Sequence, residues 1–322
     1  MAAVTMHTVP SGETSPSEEA KSEGNQFESA AAFDFESNTV VLRNGVQMPI
    51  MGIGTWQVKG QICVDTICTA LKAGYRLIDT ASIYRNEADV AAGIAASGVP
   101  RDKLFITSKL SPKQQGEDAA YEACMGSLQA LGTSYLDLYL VHWPGAKGLK
   151  PGHPGTKDKR HSTWKALQRL LAEGHVRAIG VSNFMPHHLA ALAAAEGCTT
   201  PPAVNQFEVN PLLLATDAVQ ACRQHGVAVQ AYAPLAQGNP LLLGDKGVQG
   251  IARRLQCSEA AVCIRWGLQK GYLQIPRSTN PEHIAGNLRA LDISLTDADM
   301  AVIGGLQEAQ GGGIRTCWDP NT

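Results

Sequence analysis

Apolar and polar positions along this chain change period many times, and the two kinds of period alternate. Residues 39–42 and 46–48 are short apolar runs on either side of Arg43-Asn44-Gly45. Asn-Gly between such runs predicts a hairpin, because both central residues of the tight turn need positive φ. Strand-like runs then follow at 49–54, 76–79, 104–108, 134–141, 178–182, 203–209, 228–233 and 272–275. Between them apolar residues recur every three or four positions. Helices are predicted on this basis at 63–73, 86–97, 186–195, 216–225, 258–270 and 281–290. Tyr121, Cys124, Leu128 and Leu131 mark another, and Trp164, Leu167 and Leu171 share the face of one more, which makes Trp164 a core residue. Residues 296–306 read as an extra helix opened by Thr296-Asp297.

Eight strands, each followed by a helix, predict a parallel sheet. Eight units in roughly 250 residues predict an α/β fold of the closed (β/α)8 (TIM) barrel type, with an N-terminal β-hairpin. The alternative is a doubly wound sheet, which usually carries G-x-G-x-x-G after its first strand. Here Gly52-Ile53-Gly54 runs into Thr55-Trp56-Gln57, so the third glycine is missing.

Composition changes this picture mainly at the ends. The chain has 322 residues, 44% hydrophobic and 17% charged, with a formal charge of −2. That balance argues against general affinity for nucleic acid, and no run approaches the roughly 20 apolar residues of a membrane span. Residues 1–38 hold seven acidic residues and one lysine, a net of −6, which leaves +4 for the remainder. Rich in Ser, Ala and Glu, this tail is expected to be disordered, with the barrel domain at 39–322. It has neither the apolar run of a signal peptide nor the arginines of a transit peptide. The eight cysteines form no C-x-x-C pair. They read as free thiols of a protein in a reducing compartment, here the cytoplasm.

Active sites of such barrels lie at the carboxyl ends of the strands. Those ends carry Asp79, Lys109, His142, Ser182-Asn183, Gln206, Glu208, Tyr232 and Arg277-Ser278, with Tyr84 five residues beyond Asp79. Each alone has an ordinary explanation: a solvated charge, a structural histidine, a core tyrosine. Together Asp, Tyr, Lys and His make chemical sense. Tyrosine ordinarily ionises near pH 10, too high for easy proton exchange at neutrality. A neighbouring ammonium lowers that value. Lys109 is positioned to supply it, Asp79 to keep Lys109 protonated, and His142 to donate to a carbonyl oxygen. A metal-dependent hydrolase using Asp79 and His142 is the competing reading, although residues 50–54 hold no His or Asp to begin such a site.

At these residues the sequence resembles the aldo-keto reductase family. MGIGTWQV at 51–58, GYRLIDTASIYRNE at 74–87, FITSKL at 105–110 and LDLYLVHWPG at 136–145 carry the resemblance. IGVSNF at 179–184, NQFEVNP at 205–211, AYAPLAQG at 231–238 and IPRST at 275–279 continue it. It implies a catalytic tetrad of Asp79, Tyr84, Lys109 and His142, with NADP(H) as cofactor. It further implies that Tyr232 stacks on the nicotinamide and that Ser182, Asn183 and Gln206 hold its carboxamide. Gly54, Thr55 and Asp79 would lie close to the cofactor, with Leu235 and Gln237 in the pyrophosphate cover. Arg277, Ser278, Thr279 and Asn280 match the 2′-phosphate site. Asn280-Pro281 also looks like a helix start, whose free N–H groups favour an anion.

Two departures stand out: His283 replaces a common arginine and Gly286 a common glutamate, while Asn287 is kept. Histidine is mostly neutral at pH 7, so the resemblance implies a weaker preference for NADPH, with NAD(H) also usable. Trp56, Tyr84, His142, Trp143 and Trp318 are the candidate substrate wall, and Trp318 either closes over the substrate or packs on the barrel. The short segment from Gly311 looks like that of microbial and plant-type reductases of small carbonyls. The implied protein is a monomer acting on a small carbonyl substrate. Members of the family also serve as non-enzymatic, cofactor-binding subunits, and an intact tetrad is compatible with both roles.

Overall fold

The computed structural model describes residues 33–149 and 153–319. Three short strands come first, β1 (Phe33–Asp34), β2 (Thr39–Val41) and β3 (Gln47–Pro49), in one antiparallel sheet. The hairpin β2–β3 lies where Asn44-Gly45 predicts it, with Gly45 at φ 83°. The tail boundary at residue 38 is too late. Phe33 and Asp34 pair with Val40 and Thr39, and the Asp34 carboxylate accepts from the Glu36 and Ser37 amides and the Ser37 hydroxyl to close the turn. A two-residue strand is too short to show a period of two, so the acidic composition masked it. The rest of the tail lies outside the described residues.

The barrel follows: β4 (Gly52–Gly54), β5 (Leu77–Asp79), β6 (Phe105–Leu110), β7 (Leu138–Val141), β8 (Ile179–Ser182), β9 (Val204–Glu208), β10 (Ala228–Tyr232) and β11 (Tyr272–Gln274). Each pairs in parallel with the next. The ring closes where Met51 bridges Gln274 and the Gln274 N–H donates to the Ile50 carbonyl at 2.9 Å. This is the (β/α)8 barrel. Its strands are buried almost throughout, because side chains meet the interior on one face and helices on the other. Gly180 shows how tight that packing is. A Cβ there would lie 2.6 Å from the Val204 carbonyl oxygen and 2.7 Å from Leu140.

The outer helices start and stop on local signals. The Ser258 hydroxyl accepts from the Ala261 N–H, Asp245 caps Gly247 and Val248, and Thr296 and Asp299 cap each other's amides. Gly74, Gly98 and Gly132 end three helices in the left-handed conformation. Trp164 is buried as expected, its indole N–H donating to the Thr200 carbonyl. Two helices between β10 and the helix Glu259–Gln269 were not anticipated: Pro240–Leu243 and Lys246–Leu255. The first is a single turn, too short for periodicity, and glycines interrupt the second.

The small sheet covers the amino-terminal end of the barrel. Arg43 donates to the His225 carbonyl and Asn44 to that of Arg177, both just before barrel strands. Val40, Leu42, Met48 and Ile50 are buried there. At the same end, the Asp137 carboxylate is fully buried between Arg101 and Arg177, each at 2.8 Å, and accepts from the Ile106 amide at 2.9 Å. The opposite, carboxyl-terminal end is therefore the open mouth.

Candidate active site

The mouth gathers what the strand ends carry. Lys109, on β6, is fully buried, and its ammonium lies 2.5 Å from Asp79 Oδ1, 3.0 Å from the Thr80 carbonyl and 3.4 Å from the Tyr84 hydroxyl. Asp79 Oδ2 accepts from Gln206 Nε2 at 2.7 Å. Both carboxylate oxygens are thus committed to protein donors. Tyr84 stands in a 3-10 turn (Ser82–Tyr84) that Arg85 ends in the left-handed conformation. The Ser82 hydroxyl ties this turn to the Lys109 carbonyl. The Tyr84 ring is half-buried and meets the His142 ring edge-on at 5.6 Å.

Electrostatics at the mouth differs from the sequence reading in one respect. Lys109 was expected to pull the Tyr84 hydroxyl below its ordinary range. In the structure Tyr84 is instead held well above it, first by burial and then by the Asp79 charge. Burial also draws Lys109 down, with Asp79 opposing. His142 lies well below the usual histidine range, through burial and then the Lys109 charge. It is a neutral imidazole at pH 7, and its buried Nδ1 has no partner among the described residues.

A second set of polar groups lines the mouth at β8–β10. The Ser182 hydroxyl donates to the Gln206 carbonyl, and Asn183 Nδ2 donates to the His142 carbonyl and to Ser182 Oγ. The Tyr232 hydroxyl donates to Asn183 Oδ1 at 2.9 Å. Asn183 sits at φ 62°, a backbone conformation that asparagine tolerates better than most residues. Gln206 Nε2 donates a second time, to Gln230. Gln206 Oε1 remains a free acceptor among the described residues, which suits the N–H groups of a carboxamide. Gly54 and Thr55 complete this side. The Gly54 amide donates to the Pro276 carbonyl, and a Cβ there would lie 3.1 Å from the Ile275 oxygen. The Thr55 hydroxyl donates to the Asp79 carbonyl. These buried amides and hydroxyls fit the nicotinamide end of a dinucleotide.

The far end fits less closely. Arg277, Thr279, Asn280 and His283 are exposed, Ser278 is half-buried and Asn287 is buried. The free N–H groups expected at the helix Pro281–Leu288 are already taken: Asn280 Oδ1 accepts from Glu282 and His283. The Arg277 guanidinium remains as the charge for a phosphate. Leu235 is half-buried. Gln237 is exposed, and its amide donates to the Thr316 carbonyl at 2.6 Å rather than into the mouth. Ala233, Ala236 and Gln237 all have positive φ, so this loop is held in a conformation costing about 1 kcal/mol or more per residue.

Trp56 is exposed, Trp143 half-buried and Trp318 78% exposed. The Trp318 ring lies 6.1 Å from that of Trp143, at the rim and not in the core. Gln115 fixes the Trp143 loop by donating to the Trp143 and Gly145 carbonyls. The sequence reading did not single out Gln115, nor Asn86. The buried Asn86 amide donates to the Thr55 and Val58 carbonyls and its Oδ1 accepts from Thr80. It joins the loops after β4 and β5. The available signal was a short amide at a predicted helix start. Gln230, a polar residue inside an apolar strand, was detectable in the same way.

With the mouth described, comparison with known proteins places the chain among carbonyl-reducing barrel oxidoreductases. The model of the aldo/keto reductase family matches residues 50–308, and the chain belongs to that family. It is 42% identical over 273 residues to a 9,11-endoperoxide prostaglandin H2 reductase of Trypanosoma cruzi, covering 84% of this chain and 92% of the relative. It is 41% identical over 272 residues to a glyoxal reductase of Bacillus subtilis, covering 84% and 93%. An aldo/keto reductase of Brucella melitensis superposes with a TM-score of 0.77 at 38% identity, over 83% of this chain and 97% of that one. A Bombyx mori aldo-keto reductase solved in complex with NADP gives 0.75 at 31% identity, over 83% and 92%.

Proposed function

We propose that this chain is an NADP(H)-dependent reductase of aldehydes and ketones, acting on small carbonyls, aldoses or diketones. The observation that carries the reading is the Tyr84 hydroxyl, 3.4 Å from a buried ammonium that is itself anchored on Asp79. The names of relatives that reduce a small dicarbonyl or bind NADP support it.

A dihydronicotinamide, when bound there, would supply the hydride. Tyr84 holds the proton for the developing alkoxide: burial and Asp79 keep the phenol neutral, so the acid is loaded before substrate arrives. Once the proton has left, the Lys109 ammonium faces the phenolate oxygen and stabilises it. His142, neutral and wedged between Tyr84 and Trp143, orients the carbonyl without competing for the proton. Gln206 and Asn183 would hold the carboxamide, and Arg277 would pair with a phosphate. The hydrolase reading loses its ligand, since Lys109 and Gln206 occupy both Asp79 oxygens.

The test is loss of the reduced-nicotinamide absorbance with a panel of small aldehydes, aldoses and diketones. Tyr84→Phe is expected to lower turnover by about 100-fold or more while NADPH still binds. Near-normal turnover in that variant removes the assignment, and no turnover by wild type despite tight NADPH binding favours a non-enzymatic, cofactor-binding role. With His283 and Gly286 in place of the usual charged pair, catalytic efficiencies with NADPH and NADH are expected to differ by less than about a thousandfold, ~4 kcal/mol. A larger ratio in the same assay refutes weakened selection.

A further inference from the structure

Glu208 ends β9 at the mouth and is 1% exposed, yet neither the tetrad nor the carboxamide set uses it. A buried carboxylate is unfavourable unless donors meet its lone pairs. Among the described residues, the donors to its carboxylate all come from one distant segment. Oε1 accepts from the Thr316 amide at 2.7 Å and its hydroxyl at 2.6 Å, and Oε2 from the Cys317 amide at 3.0 Å. Arg315 stands 3.7 Å from Oε2. The segment has three more hydrogen bonds: the Ile314 amide donates to the Leu212 carbonyl, and Gln237 donates to the Thr316 carbonyl and to Cys317 Sγ. The next residue, Trp318, meets Trp143. If the segment left, a bare carboxylate would remain in the mouth, so docking of the segment and satisfaction of Glu208 are one event.

We propose that Glu208 is a positioning residue for substrate specificity: it clamps residues 314–318 in the register that sets Trp318 against Trp143 as the outer wall of the carbonyl pocket. The proposal rests on the reductase reading for its kinetic consequence, but not for its structural one. The substitution Glu208→Gln keeps the volume and removes one acceptor. Its NH2 group then faces either the Thr316 or the Cys317 N–H, donor against donor.

The experiment uses the full chain as wild type, Glu208→Gln, Trp318→Ala and the double variant. Amide hydrogen exchange over residues 314–318 needs no turnover. Exchange is expected to be at least about tenfold faster in Glu208→Gln, with the barrel strands unchanged. With a bulky aromatic aldehyde, KM is expected to rise about fivefold or more and kcat to stay within about twofold. With a small aldehyde KM stays put. Adding Glu208→Gln to Trp318→Ala is expected to change KM by less than about twofold, because both act through the same wall. Unchanged exchange overturns the clamp, and additive KM effects overturn its role in specificity. Should Glu208→Gln fail to fold, Thr316→Val removes only the hydroxyl donor, and faster exchange or its absence decides in the same sense. If wild type reduces no carbonyl, the reductase reading fails while the exchange result still decides the clamp.

Discussion

Tyr84, Lys109, Asp79 and His142 were legible as a set because each lies at or just beyond a strand end, and strand ends can be counted from the sequence. The direction of the Tyr84 shift was not legible. It depends on how much water reaches the hydroxyl, and that is a property of the assembled mouth. Glu208 shows a related limit. Its strand position was visible, but its donors lie more than 100 residues away, and no local pattern links them. His188 carries a consequence of burial away from the site. Burial, then His187 and Arg160, bring it down to about 3, whereas an unfolded histidine titrates near 6.5. As pH falls through 6.5 the unfolded chain takes up a proton that the folded chain refuses, so stability is lost between about pH 6.5 and 3. His188 is half-buried, so solvent screening limits the effect to about 1–2 kcal/mol. His188→Gln keeps an acceptor for the Met185 amide and is expected to flatten this part of the stability–pH curve. A slope equal to wild type in urea titrations at several pH values would refute it.

Strands and helices with clear periodicity were predicted to within a few residues, and the exceptions have two causes: shortness, and in Lys246–Leu255 the interruption by Gly247 and Gly250. β1 and the helix Pro240–Leu243 are two and four residues long, about one repeat each, and a period shows only when it recurs. The β2–β3 hairpin is the opposite case, since its turn residues announce it. Its packing gives a prediction at this scale. Met48 on β3 is fully buried under the barrel, and Met48→Ala leaves a cavity worth about 2–5 kcal/mol. The melting temperature is expected to fall by about 5–10 °C, with KM for carbonyl and cofactor unchanged, because the sheet and the mouth lie at opposite ends. Calorimetry and steady-state kinetics on the same preparation check it, and a raised KM at unaltered melting temperature would contradict this division.

For the molecule as a whole, the eightfold alternation of strand and helix was enough to specify a closed barrel, because eight parallel strands with covering helices leave few other arrangements. What surrounds the mouth was harder to foresee, being assembled from loops with no repeating pattern: residues 235–237, the Trp143 loop and residues 314–318. The last of these also decides how the protein can be joined to anything else. Asp319 adjoins Trp318 at the entrance, whereas the exposed Val41 side chain lies on the small sheet at the opposite end of the barrel. A surface tether or label attached through a cysteine substituted for Val41 therefore leaves the entrance clear and facing away from the support, whereas one placed beside Trp318 would crowd it.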